Sequence, residues 1–441
     1  MFSNRALKNL IVPLFLEQLL VMLVGLADTL VVSFVSEAAV SGVSLVNSFN
    51  TIFIYLFTAL ASGGAVIISQ YIGHRERETA GRAASQLLMI SVLFSLLMGL
   101  LVLWGNETLM GLMFGRVEPE VMDACVTYLR ISAYSYPAIA VYNAGAALYR
   151  SFGKTSTTMY LSILSNGINV AGNLIGVFVL KAGVAGVAWP SLIARMFSAA
   201  AITTLCFSRQ NPVWYEAKWV FRWDGPMLSR MLRIAVPNGF ESGIFQLVKV
   251  ALSSVVALFG TYQIAANGIA QSIWSMASLV CVTMGPVFIT VIGQCMGAGD
   301  VPQAEFYFKR LLKITVGASI VWDGLIFAAT PVLMLFYAVE PETKALVIWL
   351  VLIHNIFNAI TFPFADPMGK GLRATGDIRF TTAVSVFTTV VVRLILSLWF
   401  SLVLNWGVLG IAWAMCADWS VRAVIFLLRF RGGKWKAFQV I

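Results

Sequence analysis

From residue 9 to residue 430 the chain is one apolar stretch after another, roughly a dozen in all, each matching the about 20 residues an α-helix needs to cross a bilayer. They fall at 9–34, 41–72, 83–105, 122–149, 157–180 and 183–208, then at 228–259, 263–297, 309–337, 342–370, 377–404 and 407–430. A backbone in lipid must satisfy its own hydrogen bonds, which leaves only helices or a closed barrel. The ten-residue alternation of a barrel strand is absent from this sequence. With 59% hydrophobic and 11% charged residues and a mean hydropathy of +0.85, the chain carries more apolar surface than a soluble globule of its length can bury. The expected fold is an all-α integral membrane protein with twelve transmembrane helices.

The net charge of +10 suggests a nucleic-acid partner until the basic residues are placed. Of the 30 Lys and Arg, 22 fall in the N-terminus, alternate loops and the tail RFRGGKWK, against three (Arg116, Lys181, Lys344) in the opposite loops. That is the positive-inside asymmetry, so both termini are expected in the cytoplasm and the number of spans is even. The basic balance reports topology in the cell membrane, with the lipid bilayer and no nucleic acid as partner. The N-terminal MFSNRALKNL lacks the short apolar core and small-residue cleavage site of a signal peptide. Five cysteines, an odd number lying mostly in apolar runs, are expected to be free thiols.

The heptamer GVAGVAW at 183–189 returns as GVLGIAW at 407–413, 224 residues on. At the same offset Pro13 and Glu17 meet Pro237 and Glu241, Gln70 and Gly73 meet Gln294 and Gly297, and Ala80 meets Ala304. Arg150 and Gly153 meet Arg373 and Gly376 one residue out of step. So many matches at one spacing mean a duplication. The reading is an N-lobe over 1–208, a cytoplasmic linker over 209–227, a C-lobe over 228–430 and a basic tail over 431–441. Six spans per half, an even number, give both lobes the same orientation, with a pseudo-two-fold axis along the membrane normal. Such duplicated bundles suit transport by rocking between inward-open and outward-open states.

Several segments in order, Pro13 and Asp28 on the first helix, SQYIG, YRSFGKT, SNGINVAGN, IAANGIAQSI with GQCMGAGD, GLRATGD and DWSVRAVIFLLRF, resemble the multidrug and toxic compound extrusion (MATE) family over nearly the whole chain. The resemblance implies twelve spans in two lobes and export of organic, mostly cationic, compounds in exchange for Na⁺ or H⁺. It implies no cofactor beyond that coupling ion, and a monomer.

A charge at mid-bilayer costs about 2.5 to above 10 kcal/mol, so each one needs a partner or a role. Asp28 sits in the apolar VMLVGLADTLVVSF, and Glu17, three turns earlier, projects from nearly the same face. Asn166, Asn169 and Asn173 form one stripe at i, i+3, i+7. A carboxylate with amide oxygens suits Na⁺ or a proton-loaded acid; helix-to-helix hydrogen bonding is the alternative role for the asparagines. By resemblance, Asp28, Asn169 and Asn173 match the N-lobe coupling-cation positions of the NorM-type branch, whereas the DinF-like branch carries an acid where Asn173 stands. Glu17, Asn166, Glu241, Gln246 and Lys249 are the candidates for the substrate cavity. The carboxylates of the NorM pattern in the second half are replaced here by Phe245 and Phe362, and Glu241 either substitutes for them or pairs within its lobe. Lys249, Arg393, Asp323 and Asp418 are expected to pair among themselves, Asp418 with Arg422 one turn on. Arg130 and Arg195 have no partner evident in the sequence, His354 is expected to pack, and Trp214, Trp219, Trp223 and Trp435 fall where interfacial anchors are expected.

Two other functions compete with ion-coupled export. A flippase or exporter of lipid-linked or anionic cargo in the same superfamily would use Lys249 and Arg393. An integral membrane enzyme would need clustered His, Asp or Ser groups, and this chain has two histidines and no such motif. No Walker A loop is present to spend ATP.

Overall fold

The computed structural model describes residues 2–114, 117–335, 337, 339–438 and 440–441, so Arg116 lies outside the described residues. No strand occurs among them, and eleven of their helices are long and apolar enough to cross a membrane. The chain divides into two compact units, Phe2–Gly239 and Phe240–Ile441.

The first unit holds α1 (Asn4–Ser33), α2 (Glu37–Gly73), α3 (Arg77–Phe114), α4 (Pro119–Tyr134), α5 (Tyr136–Ser151), α6 (Thr155–Val179), α7 (Ala185–Cys206) and the short α8 (Ala217–Val220). Helix α9 (Gly225–Val256) begins in this unit and ends in the second. The second continues with α10 (Thr261–Ala277), α11 (Leu279–Gly297), α12 (Val301–Leu333), α13 (Pro341–Ile360), α14 (Phe362–Ala365), α15 (Pro367–Thr375), α16 (Ile378–Val403) and α17 (Gly407–Arg431).

Three stretches expected as single helices are broken. Over 122–149 the helix stops at Ser135 and restarts as α5 with Pro137 in its first turn, because proline has no N–H to give the preceding turn. Over 342–370 the break falls at Thr361, and Pro363 and Pro367 open the two short helices that follow. These breaks occupy matching places in the two halves. The third break, over 263–297, is at Ser278, whose hydroxyl turns back onto the Ser275 carbonyl at 3.2 Å.

The heptamer is repeated because each copy makes the same crossing. Gly183 and Gly407 sit at φ +59° and +55°, in the left-handed region where a side chain is strained. Gly186 lies against the backbone of Gly176, and a Cβ on it would stand 2.6 Å from that carbonyl oxygen; one on Gly410 would stand 2.7 Å from the backbone of Phe400. In lipid, helices gain little hydrophobic driving force from one another, so close approach through small residues carries the packing. The preceding helix widens to a π-turn in both copies, Ile175–Val179 and Trp399–Val403, which leaves the carbonyls of Ile175 and Trp399 to accept from Leu180 and Leu404 at 2.9 and 3.1 Å.

Inside the first unit Tyr136 is fully buried, stacks on Phe53 with centroids 4.9 Å apart, and donates its hydroxyl to Asn50 Oδ1 at 2.7 Å. Leu30, Leu100 and Trp104 are exposed, as a lipid-facing surface requires. The polar stretch after α7 is strapped to α3. Gln86 donates to the carbonyls of Trp219 and Arg222, Asp224 pairs with Arg82, and that guanidinium lies 4.0 Å over the Trp219 ring. Trp435 is not an interfacial anchor: it is fully buried, stacked on Phe430, with its indole N–H on the Phe430 carbonyl at 2.9 Å. The five cysteines are all buried and form no disulfide.

Candidate cation-coupling site

Asp28 lies five residues before the end of α1, half-buried, on the side of that helix that packs on α6. The amide of Asn169 donates to both of its oxygens, at 2.8 and 3.0 Å, and that of Asn173 donates to Oδ1 at 2.6 Å. The i, i+4 spacing on α6 sets both amides on the face that meets α1. Ser191 of α7 donates its hydroxyl to Asn169 Oδ1 at 2.8 Å, a partner the sequence did not reveal because it lies 22 residues away on another helix. Asn173 is fully buried, and its Oδ1 has no hydrogen-bond partner among the described residues.

Among the described residues no cation is within ion-pair distance of Asp28. Arg195, one turn after Ser191 on α7, bears on it electrostatically but gives its guanidinium to Ser135 Oγ at 2.7 Å. A carboxylate held only by neutral amides keeps its charge available to a mobile cation. Turning either amide over would exchange a donor for an oxygen ligand.

Asn166 does not join this group; its amide donates to Ser162 Oγ at 3.3 Å on its own helix. Glu17 also stands apart. It is 3% exposed, ion-paired with Arg150 at 2.9 Å, and accepts from Thr158 at 2.8 Å and Tyr142 at 3.2 Å. The second unit repeats the arrangement: Glu241 pairs with Arg373, whose guanidinium also reaches Thr381 Oγ1 at 3.3 Å and Ser385 Oγ at 3.5 Å. Both glutamates are thus occupied within their own units.

Gln246 is half-buried and Lys249 exposed, and neither side chain makes a hydrogen bond or ion pair among the described residues. The embedded charges do not all pair as expected. Asp418 takes Arg422 at 2.9 Å and also Arg393 at 2.8 Å, and Arg393 lies 5.0 Å over the ring of Phe245. Among the described residues Asp323 pairs with no cation and accepts instead from Asn358. Arg130 is exposed, while His354 is buried, its ring 6.4 Å from that of Trp419. A cavity of about 310 Å³ in the first unit, lined by Ser36, Glu120, Asp123 and Gly183, does not reach Asp28.

Spanning helices, a duplicated six-span plan and an embedded carboxylate without a fixed counter-charge define a polytopic membrane transporter. The family described as MatE matches residues 13–175 and again 237–399, and the chain belongs to it. The two matches start and end 224 residues apart, the offset of the heptamer. YisQ, an uncharacterized transporter of Bacillus subtilis, is 27% identical over 96% of this chain and 93% of its own. A probable multidrug resistance protein NorM of Thermotoga maritima is 24% identical over 99% and 94%. In fold, a MOP superfamily transporter from Pyrococcus furiosus superposes with a TM-score of 0.90 at 21% identity, over 97% of this chain and 95% of that one.

Proposed function

We propose that this transporter exports organic, mostly cationic, compounds by alternating access in exchange for Na⁺ or H⁺, with Asp28 as the coupling carboxylate. The observation that carries the reading is the bonding of Asp28: amide donors from Asn169 and Asn173, and no paired cation among the described residues.

In the ion-free state the amide N–H groups stabilise the carboxylate. A cation arriving at Asp28 takes over that role, and the amides turn so that Asn173 Oδ1, buried and unpartnered, becomes a ligand or acceptor. Cation loading thereby changes the seam between α1 and α6. Such a change drives transport only to the extent that the ion binds the two access states differently, about 1.4 kcal/mol for each tenfold difference in affinity. The relatives' names, which include multidrug resistance proteins, support the choice of cargo.

One observation favours a second cargo. Buried Arg393 and half-buried Arg422 share a single Asp418, a net positive charge in the second unit that suits an anionic or lipid-linked compound.

The test is purified protein in liposomes, following a fluorescent organic cation under an imposed Na⁺ gradient and, separately, a pH gradient. Efflux driven by one of these gradients and lost in Asp28→Asn is the expected result. Coupled efflux that survives in Asp28→Asn rejects the coupling role, and transport of an anionic probe alone selects the second cargo.

A further inference from the structure

In the second unit, the seam between α12 and α13 holds another carboxylate with no counter-ion. Asp323 is 3% exposed, and both of its oxygens accept from one group, Asn358 Nδ2, at 3.0 and 2.8 Å. Asn355, a turn earlier on α13, donates its amide to the backbone carbonyl of Asp323 at 3.0 Å. Among the described residues no Lys, Arg or His is within ion-pair distance of it. An ionised carboxylate removed from water and met by a single neutral donor group does not recover the hydration it has lost.

What remains unused nearby is electron-pair donation. Asn355 Oδ1 and Asn358 Oδ1 are buried without hydrogen-bond partners among the described residues, on side chains 4% and 0% exposed. Buried polar atoms are ordinarily satisfied. Acceptors left open beside a bare carboxylate suit a cation, and a single negative charge suits a monovalent one.

We propose that Asp323, with Asn355 and Asn358, forms a second monovalent-cation site, for a proton or Na⁺. The site is not the duplicate of the first. At the 224-residue offset Asp28 corresponds to Leu252 and Asn169 to Arg393, while Asp323 and Asn358 correspond to Gly99 and Tyr134. The first lobe sets its acid on α1 against α6, and the second sets one on α12 against α13. Near Asp323 are Cys281 of α11, whose thiol is 3.6 Å from Ser319 Oγ on α12, and Asp366 with Lys370, paired at 2.8 Å; His354 also lies on α13, and the other charged residues of α12 and α13, Glu305, Lys309, Arg310, Lys313, Glu342 and Lys344, stand toward the ends of those helices. Lys370 is already taken by its aspartate, which leaves Asp323 as the group a cation would neutralise.

The site stands apart from the coupling role given to Asp28, and its test reads binding, not transport. Full-length protein in detergent is compared as wild type, Asp28→Asn, Asp323→Asn and the double variant, by binding of radioactive Na⁺ at alkaline pH and by the protonated-carboxyl band in infrared spectra across a pH titration. Na⁺ binding that persists in Asp28→Asn and is lost in the double variant assigns Na⁺ to Asp323. A carboxyl band that behaves so without Na⁺ binding assigns a proton. An Asp323→Asn protein matching wild type in both readouts overturns the proposal, as does an Asp28→Asn protein with neither signal. If Asp323→Asn does not fold, Asn358→Ala in the Asp28→Asn background carries the test: a tenfold loss of affinity or a shift of about one pH unit supports the site, and no change overturns it. Failure of the Asp28 reading would show separately, as efflux that survives Asp28→Asn.

Discussion

At the scale of single residues the two embedded acids of α1 have opposite fates. Glu17 is enclosed by Arg150, Thr158 and Tyr142, whereas Asp28 is met only by amides. Removing Glu17 leaves a partly buried guanidinium without its counter-charge. Because Arg150 retains 21% exposure, Glu17→Ala is expected to cost about 1–3 kcal/mol, below the value for a fully buried pair. Thermal melting in detergent measures this, and Asp28→Asn should melt close to wild type. A drop in Asp28→Asn as large as that in Glu17→Ala would make Asp28 a structural group. Asn173→Ala removes one charge-assisted hydrogen bond and one oxygen, worth about 1–1.5 kcal/mol. The expected outcome is a roughly tenfold rise in the cation concentration giving half-maximal efflux. The face shared by Asn169 and Asn173 was legible because helical periodicity places i and i+4 together, while their link to Asp28 on another helix came from the family resemblance and Asn166, read into the same stripe, does not join them. The partner of Glu17 was not legible, since Arg150 is 133 residues away and only packing of the helices brings it near.

At the scale of elements, the crossing built by each heptamer depends on two glycines for two reasons. Gly186→Val would drive a side chain into the backbone of Gly176, which has no flexible atoms to move aside. Overpacking of this kind costs about 1–3 kcal/mol, and the loss of folded protein should exceed that from Gly183→Ala, where only a left-handed backbone angle opposes the methyl group, at about 1–2 kcal/mol. Yields and melting temperatures of the two variants, together with Gly410→Val in the second half, check the order. A Gly186→Val protein as stable as wild type would mean the helices separate there without penalty. The heptamer itself was plain in the sequence, but the π-turns that precede it were not. Ile175–Val179 and Trp399–Val403 share their offset yet not their residues, so what is duplicated there is backbone geometry, to which a comparison of letters is blind.

At the scale of the whole molecule, the asymmetry of Lys and Arg predicts that both termini face the cytoplasm. Single cysteines placed at Ser3 and at Phe438 in a background lacking the native five should both be labelled from the cytoplasmic side of oriented vesicles only, and labelling of one from outside would overturn the topology. The amino-acid order by itself settled that this is a helical membrane protein, that it is a duplication at 224 residues, and that Asp28 and the asparagine stripe share one half. Those are consequences of apolar length, repetition and helical period, all local or periodic properties. Apart from the pair of Asp418 with Arg422 one turn on, the fate of each charge was decided by the tertiary structure. Among the described residues Glu17 and Glu241 are neutralised by arginines, Asp418 by two of them, and Asp28 and Asp323 by none. In a low-dielectric interior the cost of a charge is set by atoms within a few ångströms, and which residues supply those atoms depends on helices far apart in the chain.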